Sequence, residues 1–127
     1  MNSAPTKDGS AGRSKGDTLL LLHSIGAKSG RERVNPVMYQ RLDRGFAVFA
    51  TKSGAPTNPA WYYNLVANPE VTIEIGTETI PVTARVTEGE ERDRIWAEQV
   101  ERVPRFSEYE RTANRTIPVV VLEPRRK

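Results

Sequence analysis

The residues whose types and spacing best suit chemistry lie in Gly26-Ala27-Lys28-Ser29-Gly30-Arg31-Glu32-Arg33. Glycines let a backbone approach an anion closely, and Lys28, Arg31 and Arg33 set three positive charges around one turn. This is not a Walker A loop, because Lys28 precedes the second glycine and no helix follows. From these residues alone two readings stay open, an anion cradle or an ordinary basic β-turn. The wider segment from Gly26 to Thr57 holds six basic residues against two acidic ones, a larger surplus than the +3 of the whole chain. Acids crowd instead into Glu88 to Glu101, so one part of the surface attracts anions.

Three further segments carry groups of interest. Phe49-Ala50-Thr51-Lys52-Ser53-Gly54-Ala55-Pro56 is a strand end opening into a Gly/Pro loop, a common place for binding groups or a plain connection. Ala60-Trp61-Tyr62-Tyr63-Asn64 clusters aromatic rings that could face a ligand or pack a helix onto a sheet. Phe106 and Tyr109 pose the same choice. The chain has no cysteine and one histidine, which excludes disulfides, thiolate metal sites, cysteine nucleophiles and iron–sulfur clusters. His23, inside Leu19-Leu20-Leu21-Leu22-His23-Ser24-Ile25, reads as a satisfied, partly buried histidine. No catalytic side chain and no metal site is therefore expected, and demanding chemistry would belong to a cofactor. No helix-turn-helix, zinc or RNA-binding pattern accompanies the basic residues, so nucleic acid is not an expected partner.

These groups need a scaffold, and 127 residues suffice for one domain with a real core. Residues 1–16 are rich in Ser, Gly and Lys and read as a flexible tail, with the domain spanning 17–127. The longest apolar run, Leu19 to Leu22, is far below the roughly 20 residues of a membrane span, and no apolar leader follows Met1. The expected location is the cytoplasm. Thr18 to Ile25, Arg33 to Leu42 and Phe46 to Thr51 read as strands, with Pro36 marking an edge, bulge or start. Asn58 and Pro59 read as an N-cap and first helical residue, with Trp61/Leu65 and Tyr62/Val66 on one face up to Asn68. Val71, Ile73 and Ile75, then Ile80, Val82, Ala84 and Val86, alternate with polar residues as half-buried strands. Thr87-Glu88-Gly89-Glu90 reads as a capping box opening a helix. A short helix over Pro104 to Arg115 and a last strand over Ile117 to Leu122 complete the chain. The class is α+β, a barrel-like sheet of about six mostly antiparallel strands with two to three helices.

Taken in order, Gly26 to Pro36, Ala50 to Pro56, Asn58 to Leu65, Asn68-Pro69-Glu70-Val71 and Tyr109, Arg115, Ile117-Pro118-Val119 resemble the deazaflavin-dependent nitroreductase family. The resemblance runs from Leu19 to Pro124. It implies a split β-barrel that binds coenzyme F420, an 8-hydroxy-5-deazaflavin with a phosphate and an acidic oligoglutamate tail. It implies that Ala27, Lys28, Ser29 and Arg33 hold the phosphate and tail. Val34, Asn35, Pro36, Val37 and Met38 would line the ring, opposite Phe49, Ala50, Thr51 and Lys52. Ala60, Trp61, Tyr62, Tyr63 and Asn64 would complete that wall, with Phe106. Thr51, Phe106 and Tyr109 are the candidates for the substrate pocket. The implied reaction is hydride transfer from the reduced coenzyme to an electrophile such as a quinone, an activated enone or a nitroaromatic. By analogy the protein acts as a monomer. Rival readings are an FMN-binding split-barrel oxidoreductase and a non-catalytic deazaflavin carrier. Two departures stand out. Nitro-reducing members carry tyrosines where this chain has Val103 and Phe106. The amphipathic N-terminal helix common in the family, which touches membranes, has no counterpart pattern in residues 1–16.

Overall fold

A computed structural model describes residues 19–125, so the expected tail over residues 1–16 lies outside the described residues. Six strands form the frame: β1 (Leu19–Ile25), β2 (Glu32–Leu42), β3 (Gly45–Phe49), β4 (Glu70–Ile75), β5 (Glu78–Val86) and β6 (Val119–Pro124). Three helices join them: α1 (Ala60–Ala67), α2 (Gly89–Arg102) and α3 (Arg105–Ala113). A single 3-10 turn occupies Lys52–Gly54. The strands close into an antiparallel barrel in the order β1-β2-β3-β6-β5-β4, with β4 returning to β1 through Leu22 and Ile73. The expected split-barrel α+β class is the one observed.

Alternation explains the core. Leu20 and Leu22 on β1, Val71 and Ile73 on β4 and Val82 on β5 point inward and are buried. They meet Trp61 and Leu65 of α1, which plugs the barrel. Burying each large aliphatic side chain contributes about 1.5–3 kcal/mol, which outweighs the modest helix propensity of an eight-residue α1. Val66 departs from expectation. It lies largely exposed, while its helical partner Tyr62 packs partly on the core. A second cluster outside the barrel gathers Ala47, Phe49, Ile95, Trp96, Phe106, Ile117, Val119 and Val121. It seats α2 and α3 against β3 and β6.

Two expected helix caps do not form. Asn58 gives its side-chain oxygen to the Arg115 guanidinium at 2.5 Å, and Pro59 itself takes the cap position of α1. Thr87 donates its hydroxyl to the Val119 carbonyl at 2.8 Å, tying β5 to β6, and Glu88 caps α2 without a side-chain bond. In both cases a long-range partner outcompetes the local one. Strand ends also shift. β3 stops at Phe49, because Thr51 is already helical and Lys52 is left-handed at φ 47°. β6 begins at Val119, later than Ile117. The hairpin before β3 requires glycine, since a Cβ on Gly45 (φ 136°) would lie 2.3 Å from the Leu122 carbonyl oxygen.

Arg92 fixes α3. Its guanidinium is buried, donates to the Ile117 carbonyl at 2.8 and 3.2 Å, pairs with Glu110 at 3.0 Å and covers the Trp96 ring at 4.9 Å. A buried cation needs this full set of partners to offset its desolvation. Phe106 is thereby held in place.

Candidate functional site

β2 pairs with β3 only through Tyr39 to Leu42, so the half from Glu32 to Met38 has β1 as its one strand neighbour. Pro36 sits in this half, where its missing N–H leaves no gap in a β3 ladder. Two cavities lie along this part of β2. One, of about 1010 Å³, is lined by Gly26, Ala27, Lys28, Ser29, Glu32, Arg33, Val34 and Asn35, with Ala60, Tyr63 and Asn64 of α1. The other, of about 200 Å³, is lined by Pro36, Val37, Met38, Phe49, Thr51, Lys52, Pro59, Trp61 and Phe106. The same strand and helix, β2 and α1, contribute to both.

The first cavity is framed by the basic turn. The turn is closed by the Gly26 N–H to Arg31 carbonyl bond at 2.7 Å and the Gly30 N–H to Gly26 bond at 3.0 Å. Asn64 accepts the Ala27 N–H at 2.9 Å and donates to Ser24 Oγ at 3.3 Å, which pins the turn to α1. Asn68 adds a bond to the Ile25 carbonyl at 3.3 Å. Among the described residues the N–H groups of Lys28 and Ser29 have no protein partner. Lys28 and Arg33 add charge, and half-exposed Val34 and Tyr63 leave apolar surface beside it.

Seven of the nine residues around the second cavity are apolar, but with Thr51 and Lys52 among them its exposed wall is more polar than apolar. The Thr51 hydroxyl has no protein partner among the described residues, and the Lys52 ammonium is held toward Thr57 at 3.4 Å. Holding Lys52 left-handed costs about 1 kcal/mol or more, a cost that recurs at functional loops. Arg115 supplies the restraint. It donates to the carbonyls of Ala50 (3.1 Å), Ala55 (3.2 Å) and Thr57 (2.9 Å) and so rivets the loop that presents Thr51 and Lys52. Phe106 forms the buried end, edge-on to Phe49 at 5.4 Å and Tyr109 at 5.2 Å.

Most residues singled out from the sequence therefore line one of these two cavities. Three line neither. Ala50 is fully buried in the core, Tyr62 packs from α1 against the barrel core, and Tyr109 lies behind Phe106 with its hydroxyl accepting from Arg105 at 3.0 Å. Gly26 and Glu32 belong to the basic motif singled out in the sequence but were not named as contacts, while Pro59 in the lining and the restraining role of Arg115 were missed. The loop carbonyls without ladder partners were the available signal for that arginine. His23 bridges two carboxylates, Glu32 at 2.9 Å and Glu74 at 2.5 Å, and is partly buried as expected. Among the described residues no carboxylate, cysteine or histidine cluster suits a metal, and no helix is long and apolar enough to cross a membrane.

Residues 4–124 match the family model of F420H(2)-dependent quinone reductases. The chain belongs to that family. A quinone reductase of Mycobacterium tuberculosis named for F420H(2) is 39% identical over 106 residues, 81% of this chain and 71% of its own. A solved F420-H2 dependent reductase is 40% identical with a TM-score of 0.76, covering 84% of this chain and 94% of its own. A second structure, a domain-swapped dimer, has the same identity and score and covers 84% and 80%. Family membership makes F420 the cofactor and hydride transfer to a quinone the reaction. The donor set fits that coenzyme: the cations and open N–H groups of the turn suit its phosphate and acidic tail, and the apolar surface along β2 and α1 suits its ring.

Proposed function

We propose that the two cavities along the open half of β2 form the F420 seat and that its Phe106 end receives the quinone. Lys28 and Arg33, with the N–H groups of Lys28 and Ser29, hold the phosphate and the first acidic residues of the tail. Val34, Asn35, Pro36, Val37 and Met38 form one wall of the ring site. Phe49, Thr51, Lys52, Ala60, Trp61, Tyr63 and Asn64 form the facing side. The observation that carries the reading is that β2 and α1 line both cavities, one beside a basic turn with open N–H groups and one among Pro36, Val37, Met38, Trp61 and Phe106. Bound and reduced, the deazaflavin supplies the hydride. The chain's own residues orient, exclude water and support negative charge on the acceptor oxygen, for which the Thr51 hydroxyl and the Lys52 ammonium are placed. No acid–base side chain is required, in keeping with a site whose only nearby histidine is engaged by carboxylates.

The test is a side-by-side titration with F420 and FMN followed by ring fluorescence, then turnover of a quinone by the reduced complex. F420 should bind more tightly. Equal or tighter FMN binding overturns the reading, and tight F420 binding without quinone turnover points to a carrier. A monomeric state and a cytoplasmic location belong to the same proposal, and light scattering and cell fractionation test them.

A further inference from the structure

Glu32 lines the same cavity as Lys28 and Arg33, so a carboxylate stands where an anionic tail must pass. We propose that His23 is a positioning residue for coenzyme binding: its imidazolium draws the Glu32 carboxylate aside and cancels its charge beside Lys28 and Arg33. The inference rests on the seat proposed above.

The geometry demands the cation. His23 Nδ1 lies 2.9 Å from Glu32 Oε2, and Nε2 lies 2.5 Å from Glu74 Oε2. Ionised carboxylates only accept, so both ring nitrogens must donate, which only the doubly protonated ring does. A neutral ring would turn a lone pair toward one of the two carboxylates. Burial lowers the proton affinity of His23, but its hydrogen bonds to Glu32 and Glu74 outweigh that and hold it above the ordinary 6.5.

The charged groups around it are few. The turn presents Lys28 and Arg31, β2 Glu32 and Arg33, and β4 Glu74, while α1 carries no charged side chain. With His23 protonated, four cations stand against two carboxylates. Once it loses its proton that surplus is halved, and the seat attracts a polyanion less strongly. The Glu32 pair is exposed, so screening limits the effect to about three- to tenfold in affinity.

The experiment titrates wild type, Glu32→Gln and His23→Gln with F420 from pH 6 to 9 at constant ionic strength. A tail-free deazaflavin, which shares the ring and its own ionisation, serves as the control ligand. Wild-type affinity for F420 relative to the control should fall as pH rises. Glu32→Gln should bind more tightly at high pH and lose that slope, and His23→Gln should bind weakly and without slope. His23 is the chain's one histidine, so its imidazole resonances report its pKa directly. By linkage, F420 should raise that pKa and the tail-free ligand should not. A slope unchanged in Glu32→Gln, or a His23 pKa indifferent to F420, overturns the inference while leaving the seat intact. Failure of wild type to bind F420 at any pH refutes the seat, and the inference with it.

Discussion

Asn64 joins α1 to the basic turn, accepting the Ala27 N–H at 2.9 Å from a side chain that is itself buried. Asn64→Leu removes that acceptor and the bond to Ser24 while keeping the bulk. A buried donor left without a partner costs about 1–3 kcal/mol, so the denaturation midpoint should fall accordingly. Affinity for F420 should fall as well, because Lys28 and Ser29 ride on this turn. Unchanged affinity in a folded Asn64→Leu protein would separate the turn from the ligand.

Lys28 and Arg33 face one cavity from the turn and from β2. Their double replacement by alanine should weaken F420 binding by about 2 kcal/mol, less than two full charge-assisted bonds because both groups are solvated. The loss should shrink as salt rises. Calorimetry at low and high salt measures both, and an indifferent result would reduce the motif to a basic turn.

Arg115 holds three loop carbonyls and the Asn58 side chain with one planar fork. Arg115→Lys retains the charge but cannot span those acceptors. Quinone turnover should drop by at least about tenfold, since small misplacements of a reacting wall are costly. F420 affinity should fall by less, because the basic turn proposed to hold the anionic tail makes no hydrogen bond with Arg115. Equal losses in both would place Arg115 in coenzyme binding.

The His23 bridge also makes stability depend on pH. Its folded-state pKa is raised, so its contribution is fully present below the unfolded value near 6.5 and disappears as pH rises through the folded value. Thermal melts across pH 6 to 9 should show a decline that His23→Gln abolishes. A decline of equal size in the variant would assign it to other groups.

Phe106 closes the ring cavity with a side chain that has no hydroxyl. Nitro reduction should therefore be slow beside quinone reduction, since one preorganised donor is worth on the order of a hundredfold in rate. Phe106→Tyr should raise turnover of a bicyclic nitroimidazole with F420 affinity nearly constant. Rapid nitro reduction by the wild type would refute this.

The parts of the fold legible in the sequence were those set by neighbours in the chain. Val71 and Ile73 alternate with polar residues, and a strand needs nothing more to bury one face. Barrel closure through His23 opposite Thr72 spans about two-fifths of the chain and leaves no local trace. The helix caps misled for the same reason, because Arg115 and Val119 reach Asn58 and Thr87 from far along the sequence. Lys28 and Arg33 stood out by type and spacing, Asn35 only through the family resemblance, and the three do share a cavity. Tyr62 and Tyr109 looked equally suitable, but their helices turn them onto core and onto Arg105. Only helix rotation and packing decide which ring of an aromatic cluster meets solvent.

α1 frames the basic turn through Asn64 and lends Trp61 to the second cavity, whereas α3 lends it only Phe106 and is tied down by Arg92 through Glu110. On the proposed seat such a division makes the protein modular. Changes on α3 should then alter what is reduced more than what does the reducing, so new substrates should be reachable by single steps that keep the coenzyme in place. A scaffold of this kind diversifies readily, and mutagenesis for new acceptors is best confined to Val103 through Ala113.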